Sequence, residues 1–319
     1  MIAKLLKALL AATAAFACMA ANAFPDKPVR LIVPFPAGGA TDVVARTIGQ
    51  RLSVLWKQPV IVENKPGAGG NIGADAVAHA EPDGYTLLVA SPAEVAINQF
   101  LYKSMSYDPE KDLVPVTKAA SGPLVLVVHP SVPAKTLPEL IAWLKSRKDG
   151  TPYASSGIGG PQHLAGETFR VMTGTNLIHV PYKGGAPAIN DLVGGQVLMF
   201  FSGLPPALVH IKAGKLRAIA VTTAQPSSLI PGVPPVDSVV PGFDFENWQG
   251  VFATKGTPEA IVAQVARDIA TVSDSALAEA LAKQGAAPAP MTPADFTAFV
   301  QKERRKYQEA VKLSGAKVD

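Results

Sequence analysis

The chain has 319 residues, of which 48% are apolar and 17% charged, so it can bury large cores and is not intrinsically disordered. Its length predicts about two domains. The formal net charge of +4 is too weak to indicate a nucleic-acid-binding protein in the absence of a clustered basic face.

Residues 1–23 have the pattern of a secretory signal peptide. A positive start and a leucine- and alanine-rich stretch precede the small residues Ala21-Asn22-Ala23, after which we expect cleavage. The apolar stretch is shorter than the roughly 20 residues that a membrane-spanning helix needs. The only cysteine, Cys18, follows a poor lipidation sequence, and a lipoprotein stays open as a minor alternative. We therefore predict a mature chain without disulfides that begins at Phe24 and is located in the periplasm.

The first part of the predicted mature chain alternates strands and helices. Short apolar runs rich in β-branched residues predict strands at 29–33, 59–63 and 85–90. An apolar stripe at helical spacing predicts a helix with Thr41 as its N-cap, and a second helix is expected at about 72–80. This βαβαβ order predicts a parallel α/β sheet.

The same pattern restarts after residue 123. Further strands are predicted at 124–128, 151–154, 177–180, 197–201, 216–221 and 250–253, and helices at 137–148, 161–172 and 293–313. Two similar strand–turn–helix units, near residues 127–141 and 252–261, are expected where the chain crosses between two lobes and returns. We therefore predict a discontinuous first domain, 24–123 plus 249–319, and a continuous second domain, 124–248.

Two glycine-rich turns, one in each predicted domain, each connect a strand to a helix. Ligands of open α/β sheets bind at the carboxyl ends of the strands, where helix starts offer unpaired N–H groups and partial positive charge. Glycine also lets a ligand approach the backbone closely. Two such turns facing each other predict a site for a small anion, although tight turns alone also require glycine. The candidate residues are Phe35, Pro36, Ala37, Gly38 and Gly39 in the first turn, and Ser155, Ser156, Gly157 and Gly159 in the second.

Five further polar residues extend the predicted site. Asp42 lies in the first turn of its helix, where it either caps the helix or receives an ammonium or hydroxyl group of the ligand. His163 is expected to line or support the second turn. Ser91, Lys183 and Ser202 follow predicted strands at the edge of the cleft, although Lys183 is equally well explained as an ordinary surface lysine.

Motifs for nucleotide binding, nucleophilic catalysis and metal binding are absent from the sequence. It contains no GxxxxGK[ST], GxSxG or HExxH pattern. Ser155 and Ser156 near His163 could form a serine–histidine pair, so an exported hydrolase stays open as a minor alternative. The five histidines are scattered and the predicted mature chain has no cysteine, so we expect neither a metal nor a cofactor.

A series of ordered motifs covers nearly all of the predicted mature chain. They include Val33-Pro34-Phe35-Pro36-Ala37-Gly38-Gly39 with Asp42, Val62-Glu63-Asn64-Lys65-Pro66-Gly67-Ala68-Gly69-Gly70, Asp83-Gly84-Tyr85-Thr86-Leu87, Pro161-Gln162-His163-Leu164-Ala165-Gly166-Glu167 and His179-Val180-Pro181-Tyr182-Lys183-Gly184. This series resembles the tripartite tricarboxylate transporter receptors, the TctC or Bug group.

The resemblance implies a two-lobed α/β fold of the type II periplasmic binding protein class, with two parallel-type sheets, a hinge and a cleft that closes on the ligand. It implies that residues 34–39 and 155–163 hold a carboxylate of a small organic acid or amino acid through backbone N–H groups and ordered water. The implied partners are membrane subunits of an ion-driven transporter. Some members signal to a sensor kinase, so a sensor-only receptor is an alternative. Ile158 and Gly160 replace an asparagine and a threonine that are frequent in the family, which argues against a highly polar tricarboxylate.

Overall fold

The structure is a computed structural model that describes residues 24–318, so the predicted signal peptide and Cys18 lie outside the described residues. The strands are β1 (Val29–Val33), β2 (Val60–Asn64), β3 (Thr86–Ala90), β4 (Leu113–Val128), β5 (Thr151–Ser155), β6 (Leu177–Pro181), β7 (Met199–Gly203), β8 (Arg217–Val221), β9 (Glu246–Thr254) and β10 (Ala287–Pro288). The helices are α1 (Ala40–Trp56), α2 (Asn71–Ala78), α3 (Leu137–Ser146), α4 (Pro161–Thr173), α5 (Gly185–Val193), α6 (Leu204–Lys212), α7 (Glu259–Thr271), α8 (Ser275–Ala282) and α9 (Pro293–Ser314).

The first group of strands is parallel at one edge, where β1 lies between β2 and β3. The apolar stripe of α1, which includes Val44, Ile48 and Leu52, is buried in the same core as these strands. Helix α1 begins directly after Gly39, which has extended backbone angles and is the N-cap. The prediction of Thr41 as the N-cap is therefore wrong, because the chain enters the helical conformation before Thr41 and buries this residue inside the first turn.

Strand β4 is the longest strand and connects two groups of strands. Its first part pairs antiparallel with β9, from Leu113 opposite Thr254 to Pro123 opposite Glu246. Its second part, from Leu124 onward, pairs antiparallel with β7 and β8. We call the β2-β1-β3-β9 group with the first part of β4 lobe 1, and the second part of β4 with β5 to β8 lobe 2.

Lobe 2 repeats the local arrangement of lobe 1. Strand β5 lies between β6 and β7 and is parallel to both, as β1 is to its neighbours. The hydrogen-bonded path runs β2-β1-β3-β9-β4-β7-β5-β6. The two parallel groups that the sequence predicts are thus present, and antiparallel pairs through β9 and β4 join them.

Helix α9 packs against both lobes. Near its start, Phe296 and Val300 share a core cluster with Trp248 of lobe 1. Near its end, Tyr307 and Val311 belong to a cluster that is formed largely by lobe 2. The sequence pattern assigns this helix wholly to the first domain and gives no indication of the second contact. Within residues 24–318, no helix is both long and apolar enough to cross a membrane.

The strand pairing bears on the predicted domain boundaries. The partners of β4 change between Pro123 and Leu124, where the first crossing is predicted. Strand β9 begins at Glu246, three residues before the second crossing predicted at Gln249. The division into 24–123 plus 249–319 and 124–248 stays a prediction, and the end of α9 is its least consistent part because it packs on lobe 2.

Candidate functional site

A cavity of about 660 Å³ lies between the two glycine-rich turns. We call residues 34–39 loop 1 and residues 155–160 loop 2; loop 1 follows β1 and loop 2 follows β5. The lining residues are Phe35, Pro36, Ala37, Gly39, Ala40, Thr41, Gly69, Ser91, Pro92, Ala93, Asn98, Leu101, Tyr102, Ser156, Gly157, Ile158, Gly159, Gly160, Pro161, Gln162, Gly184, Gly185, Asn247, Gln249 and Val318. None of these lining residues, which all belong to the described part of the chain, carries a charged side chain.

Three helices begin at the cavity wall. Helices α1, α4 and α5 have the N-caps Gly39, Gly160 and Gly184, and no side chain caps any of these helices. By contrast, Thr136 caps α3 through a complete capping box. The first backbone N–H groups of a helix have no intrahelical partner. The three helices therefore leave donors and the positive ends of their dipoles at the cavity.

A carboxylate supports loop 1. Asp42 is the third residue of α1, and its Oδ2 accepts the N–H of Gly38 at 2.9 Å. Its oxygens also accept from Arg46 Nε at 3.0 Å and from Asn64 Nδ2 at 2.8 Å. Burial alone would raise the pKa of Asp42, but these hydrogen bonds outweigh burial and lower it. Asp42 thus stays ionised, and its acceptor atoms are engaged by the protein itself.

An imidazole supports loop 2. His163 is the third residue of α4, and its Nδ1 accepts the N–H of Gly159 at 3.0 Å. Its ring stacks on that of His179, with centroids 3.7 Å apart. The Nε2 of His179 lies 2.6 Å from Ser155 Oγ, which also accepts the N–H of Gly157 at 3.2 Å. A chain of neutral polar groups therefore fixes two glycines of the loop, Gly157 and Gly159.

Burial determines the charge of both histidines. Burial, and secondly the neighbouring His163, lower the pKa of His179 to about 4. Burial also lowers the pKa of His163, against the opposing effect of the Glu167 carboxylate. Tyr153 Oη donates to Glu167 at 2.7 Å and also contacts the backbone carbonyl of His163 at 3.3 Å. At neutral pH both rings are therefore uncharged, and Nδ1 of His163 is available as an acceptor.

The two loops share one local geometry. In each, the third helical residue accepts the N–H of a glycine four residues earlier, Asp42 from Gly38 and His163 from Gly159. Both glycines have positive φ angles, 84° and 76°, which glycine adopts at no steric cost. The sequence pattern Gly-Gly-x-x followed by a hydrogen-bond acceptor therefore occurs once in each lobe. The acceptor is a carboxylate in loop 1 and an imidazole in loop 2.

The lobes touch each other beside the cavity. A Cβ atom at Gly159 would lie 2.3 Å from Leu101 Cδ1, so loop 2 packs directly on the segment that follows β3. That segment also pairs with the end of the chain, because Val318 N donates to the Leu101 carbonyl at 3.2 Å. Tyr102 and Val318 form an isolated parallel bridge, and both line the cavity. Val318 thus contributes to the wall of the site.

Eight of the predicted site residues line the cavity and six do not. The lining residues are Phe35, Pro36, Ala37, Gly39, Ser91, Ser156, Gly157 and Gly159. Asp42, Ser155 and His163 are buried and hold the shape of the loops. Gly38 is an exposed residue of loop 1 that donates its N–H to Asp42. Lys183 is exposed and outside the lining. Ser202 is fully buried, and its Oγ donates to the carbonyl of Gly203 at 3.0 Å.

Several lining or supporting residues carry no local sequence signal. Tyr102, Asn247, Gln249 and Val318 come from segments far apart in the sequence. The position of Asn247 and Gln249 at the second crossing is the one clue that could have placed them at the cleft. His179 is part of a matching motif, but its contact with His163 depends on the register of Tyr153 opposite His179 in the β5–β6 pair.

The serine that contacts a histidine in this region does not open onto the cavity. Ser155 is completely buried, and its Oγ donates to the Gly157 carbonyl at 2.9 Å. Residues 24–318 contain no group of three or more His, Cys, Asp or Glu side chains that could hold a metal ion. The groups available in the cavity are backbone N–H groups, hydroxyls and amides.

Comparisons with known proteins agree with this architecture. BugT of Bordetella pertussis is 39% identical over 311 residues, which cover 96% of this chain and 95% of that protein. An R. palustris protein solved with adipate is 35% identical, with a TM-score of 0.80 over 92% of this chain and 100% of that one. MatC from Rhodopseudomonas palustris, solved with bound malate, is 32% identical, with a TM-score of 0.75 over 90% of this chain and 100% of that one.

The sequence profile described as "Tripartite tricarboxylate transporter family receptor" matches residues 44–315. That match spans both lobes and most of the described residues. The family resemblance and the two-lobed α/β fold expected from the motifs are thereby confirmed. The chain belongs to the tripartite tricarboxylate transporter receptor, or Bug, family.

Proposed function

We propose that this chain is a periplasmic receptor that binds a small carboxylated solute between loops 1 and 2 and delivers it to a tripartite tricarboxylate-type transporter. The receptor catalyses no reaction of that solute. The observation that carries the proposal is the cavity between the loops. Three helices begin at this cavity without side-chain caps, and no lining residue of the described chain has a charged side chain.

Backbone donors explain the choice of a carboxylate. An anion at a helix start accepts N–H groups that would otherwise need water, and it lies at the positive end of the helix dipole. Loop 1 and loop 2 present such donors from opposite lobes. A ligand that bridges them stabilises the closed arrangement, in which Gly159 contacts Leu101. The adipate and malate structures of two relatives support this ligand class.

The cavity also constrains the rest of the ligand. Its volume of about 660 Å³ lies within the range of about 300–1,000 Å³ that is usual for small-molecule sites. Phe35, Ile158 and Leu101 form apolar parts of the wall, and Asn98, Asn247 and Gln249 supply neutral polar groups. We therefore favour a partly aliphatic acid with one or two carboxylates over a tricarboxylate, because the lining offers no cation for additional charges.

Delivery and location rest on the family and on the sequence. The family description names a transporter receptor, and residues 1–23 have the pattern of an export signal. Strands β4 and β9 connect the lobes, so bending near Pro123 and Glu246 is the expected hinge motion. Transporter subunits would then recognise the closed form.

A thermal-shift panel of mono-, di- and tricarboxylates and amino acids tests the proposal. A ligand at 100 times its Kd stabilises the folded protein by about 2.7 kcal/mol. We expect at least one mono- or dicarboxylate, with adipate and malate as first probes, to raise the Tm, and uncharged esters of the same acids to fail. Stabilisation by no carboxylate, together with hydrolysis of an ester or amide, would contradict the proposal and favour the hydrolase.

A further inference from the structure

Glu94 is a carboxyl group buried directly behind the cavity wall. It lies in a single π-helical turn, Ala93–Ile97, that follows β3, and its side chain has no solvent exposure. Its Oε1 accepts the N–H of Ser91 at 2.6 Å, and its Oε2 accepts from Ser91 Oγ at 2.8 Å. Ser91 itself lines the cavity. One hydroxyl therefore separates the buried carboxyl from the space that we assign to the ligand.

No positive charge balances Glu94 within residues 24–318. From the segment after the turn, the Tyr107 hydroxyl donates to the backbone carbonyl of Glu94 at 2.6 Å. From α9, Arg304 Nε donates to the Val95 carbonyl at 3.0 Å without pairing with the Glu94 carboxylate. Asp75 of α2 and Tyr102 act on the same hydroxyl of Tyr107 as Glu94 does, and Asp108 and Glu110 act on Arg304; none of these four is a cation. Burial raises the pKa of Glu94 to about 7, although the hydrogen bonds from Ser91 oppose this change.

A carboxylate ligand makes the ionised form of Glu94 less favourable. Two like charges in a low-dielectric region repel each other, and protonation of one carboxyl group removes the repulsion. No charged side chain among the described residues lines the cavity, so no lysine or arginine there can neutralise the two carboxylates. Protonation of Glu94 would remove the repulsion that the helix starts do not compensate.

We propose that carboxylate binding is coupled to protonation of Glu94 and that Ser91 transmits the change to the ligand. While Glu94 is ionised, the Ser91 hydroxyl donates to Oε2. Once Oε2 carries a proton, it donates to Ser91 Oγ, and the Ser91 hydroxyl hydrogen is released to donate to the ligand carboxylate. The N–H of Ser91 keeps its acceptor, Oε1, in both states. This inference rests on the proposed function, because it requires an anion in the cavity.

Calorimetric titration of the wild-type protein with adipate and with malate tests the proposal without any variant. Measured at pH 7 in buffers of different ionisation enthalpy, it counts the protons taken up. We expect uptake of a fraction of a proton per ligand at pH 7 and a Kd that rises between pH 7 and pH 8.5. The limit is about tenfold per pH unit for one coupled proton.

Two variants test whether Glu94 is the group that takes up the proton. Glu94→Gln imitates protonated Glu94, because its amide oxygen can accept from Ser91 N–H and its amide nitrogen can donate to Ser91 Oγ. We expect this variant to bind with a Kd that is constant over the same pH range and to take up no proton. Glu81→Gln, which removes an exposed carboxylate, is the matched control and should behave as the wild type.

The outcomes separate the two proposals. Binding of adipate or malate without proton uptake, or with uptake that Glu94→Gln retains, would overturn the coupling and leave the receptor function intact. Failure of every carboxylate of the panel to bind the wild-type protein at any pH would overturn the receptor function itself and the coupling with it. Uptake that is present in the wild type and in Glu81→Gln but absent in Glu94→Gln would support the coupling.

Discussion

Loop 1 and loop 2 have the same backbone shape but different chemical support. In loop 1, Asp42 is an ionised acceptor with a charged neighbour, Arg46, at 3.0 Å. In loop 2, His163 is a neutral acceptor that stacks on a second neutral ring, His179. A charged acceptor is insensitive to pH in the neutral and mildly acidic range, whereas an imidazole acceptor is lost when it gains a proton. The two halves of one site should therefore respond differently to mutation and to acid.

The largest expected effect is that of valine at the loop glycines. At Gly159, valine combines an unfavourable φ of 76° with a Cβ position 2.3 Å from Leu101, so we expect more than about 100-fold weaker binding. At Gly38 the space is open and only the backbone strain remains, so we expect a loss of about tenfold. Calorimetric Kd values for adipate measure both.

Gly174→Val is the control for this comparison. Gly174 has a φ of 63° and open space around it, but it lies at the far end of α4 from the cavity. Gly174→Val should lower the Tm because of backbone strain and leave the Kd for adipate unchanged. Equal losses of affinity in all three variants would mean that the loops have no special role in binding. Normal binding by Gly157→Val would likewise contradict a backbone cradle, because Gly157 has a φ of 148° in loop 2.

Removal of the carboxylate from loop 1 should have the next largest effect. Asp42→Ala removes the carboxylate that accepts from Gly38 N–H and from Arg46, and Arg46 keeps only its bond to Asn64. Loss of hydrogen bonds to a charged group should cost about 1.5–3 kcal/mol. Asp42→Asn keeps an oxygen acceptor and should lose less. Urea denaturation at pH 7 measures the free energies of unfolding. If Asp42→Ala and Asp42→Asn were equally stable, the hydrogen bond to Gly38 would not be what supports the loop.

Lowering the pH should weaken the support of loop 2 by its histidines but not the support of loop 1 by Asp42. The pKa of His179 is lowered to about 4 in the folded protein, from about 6.5 in an unfolded chain, so the unfolded state binds more protons between these values. This contribution to stability is complete above pH 6.5 and is lost as the pH falls toward 4. The Asp42 contribution persists over this window, because its pKa is lowered below the ordinary aspartate value.

A His163→Asn, His179→Gln double variant tests this separation. Asparagine places an acceptor oxygen near the position of Nδ1, and glutamine places polar atoms near that of Nε2, so the hydrogen bonds can persist without titration. We expect the Tm of the wild type to fall by several degrees between pH 6.5 and pH 4.5, and that of the variant to fall less. Parallel pH profiles for the two proteins would contradict the assignment.

The smallest effect is expected at Lys183. This lysine is exposed and does not line the cavity, although its position after β6 makes it a candidate from the sequence. Solvent and salt screen such a charge. Lys183→Ala should therefore change the Kd for adipate by less than about threefold, which corresponds to well under 1 kcal/mol. A larger loss would show that Lys183 swings into the cavity when the ligand binds.

Local patterns predict the two loops, and contacts distant in the sequence account for what such patterns miss. The glycine pairs, Asp42 and His163 all follow apolar strands within a few residues, so a strand–turn–helix pattern is enough to place them. The first part of β4 escapes prediction because Pro115 and Lys118 interrupt the apolar run that marks a buried strand. Its burial comes from pairing with β9, more than 100 residues later.

Two supporting residues illustrate the same limit. Glu94 does not stand out in the sequence because a single acidic residue in an apolar turn has no pattern; its importance depends on complete burial beside the cavity. His179 acquires its role only when β6 aligns with β5 and brings it onto His163. The register between strands and the closure of the lobes are three-dimensional facts, and neither follows from spacing along one chain.

The structure of the protein with a bound dicarboxylate, such as adipate, tests the backbone-held carboxylate most directly. We predict that one ligand carboxylate lies within about 3.2 Å of backbone N–H groups from both loop 1 and loop 2, with Gly159 still in contact with Leu101. A carboxylate held instead by lysine or arginine side chains outside the cavity, or contacts with only one loop, would contradict this prediction.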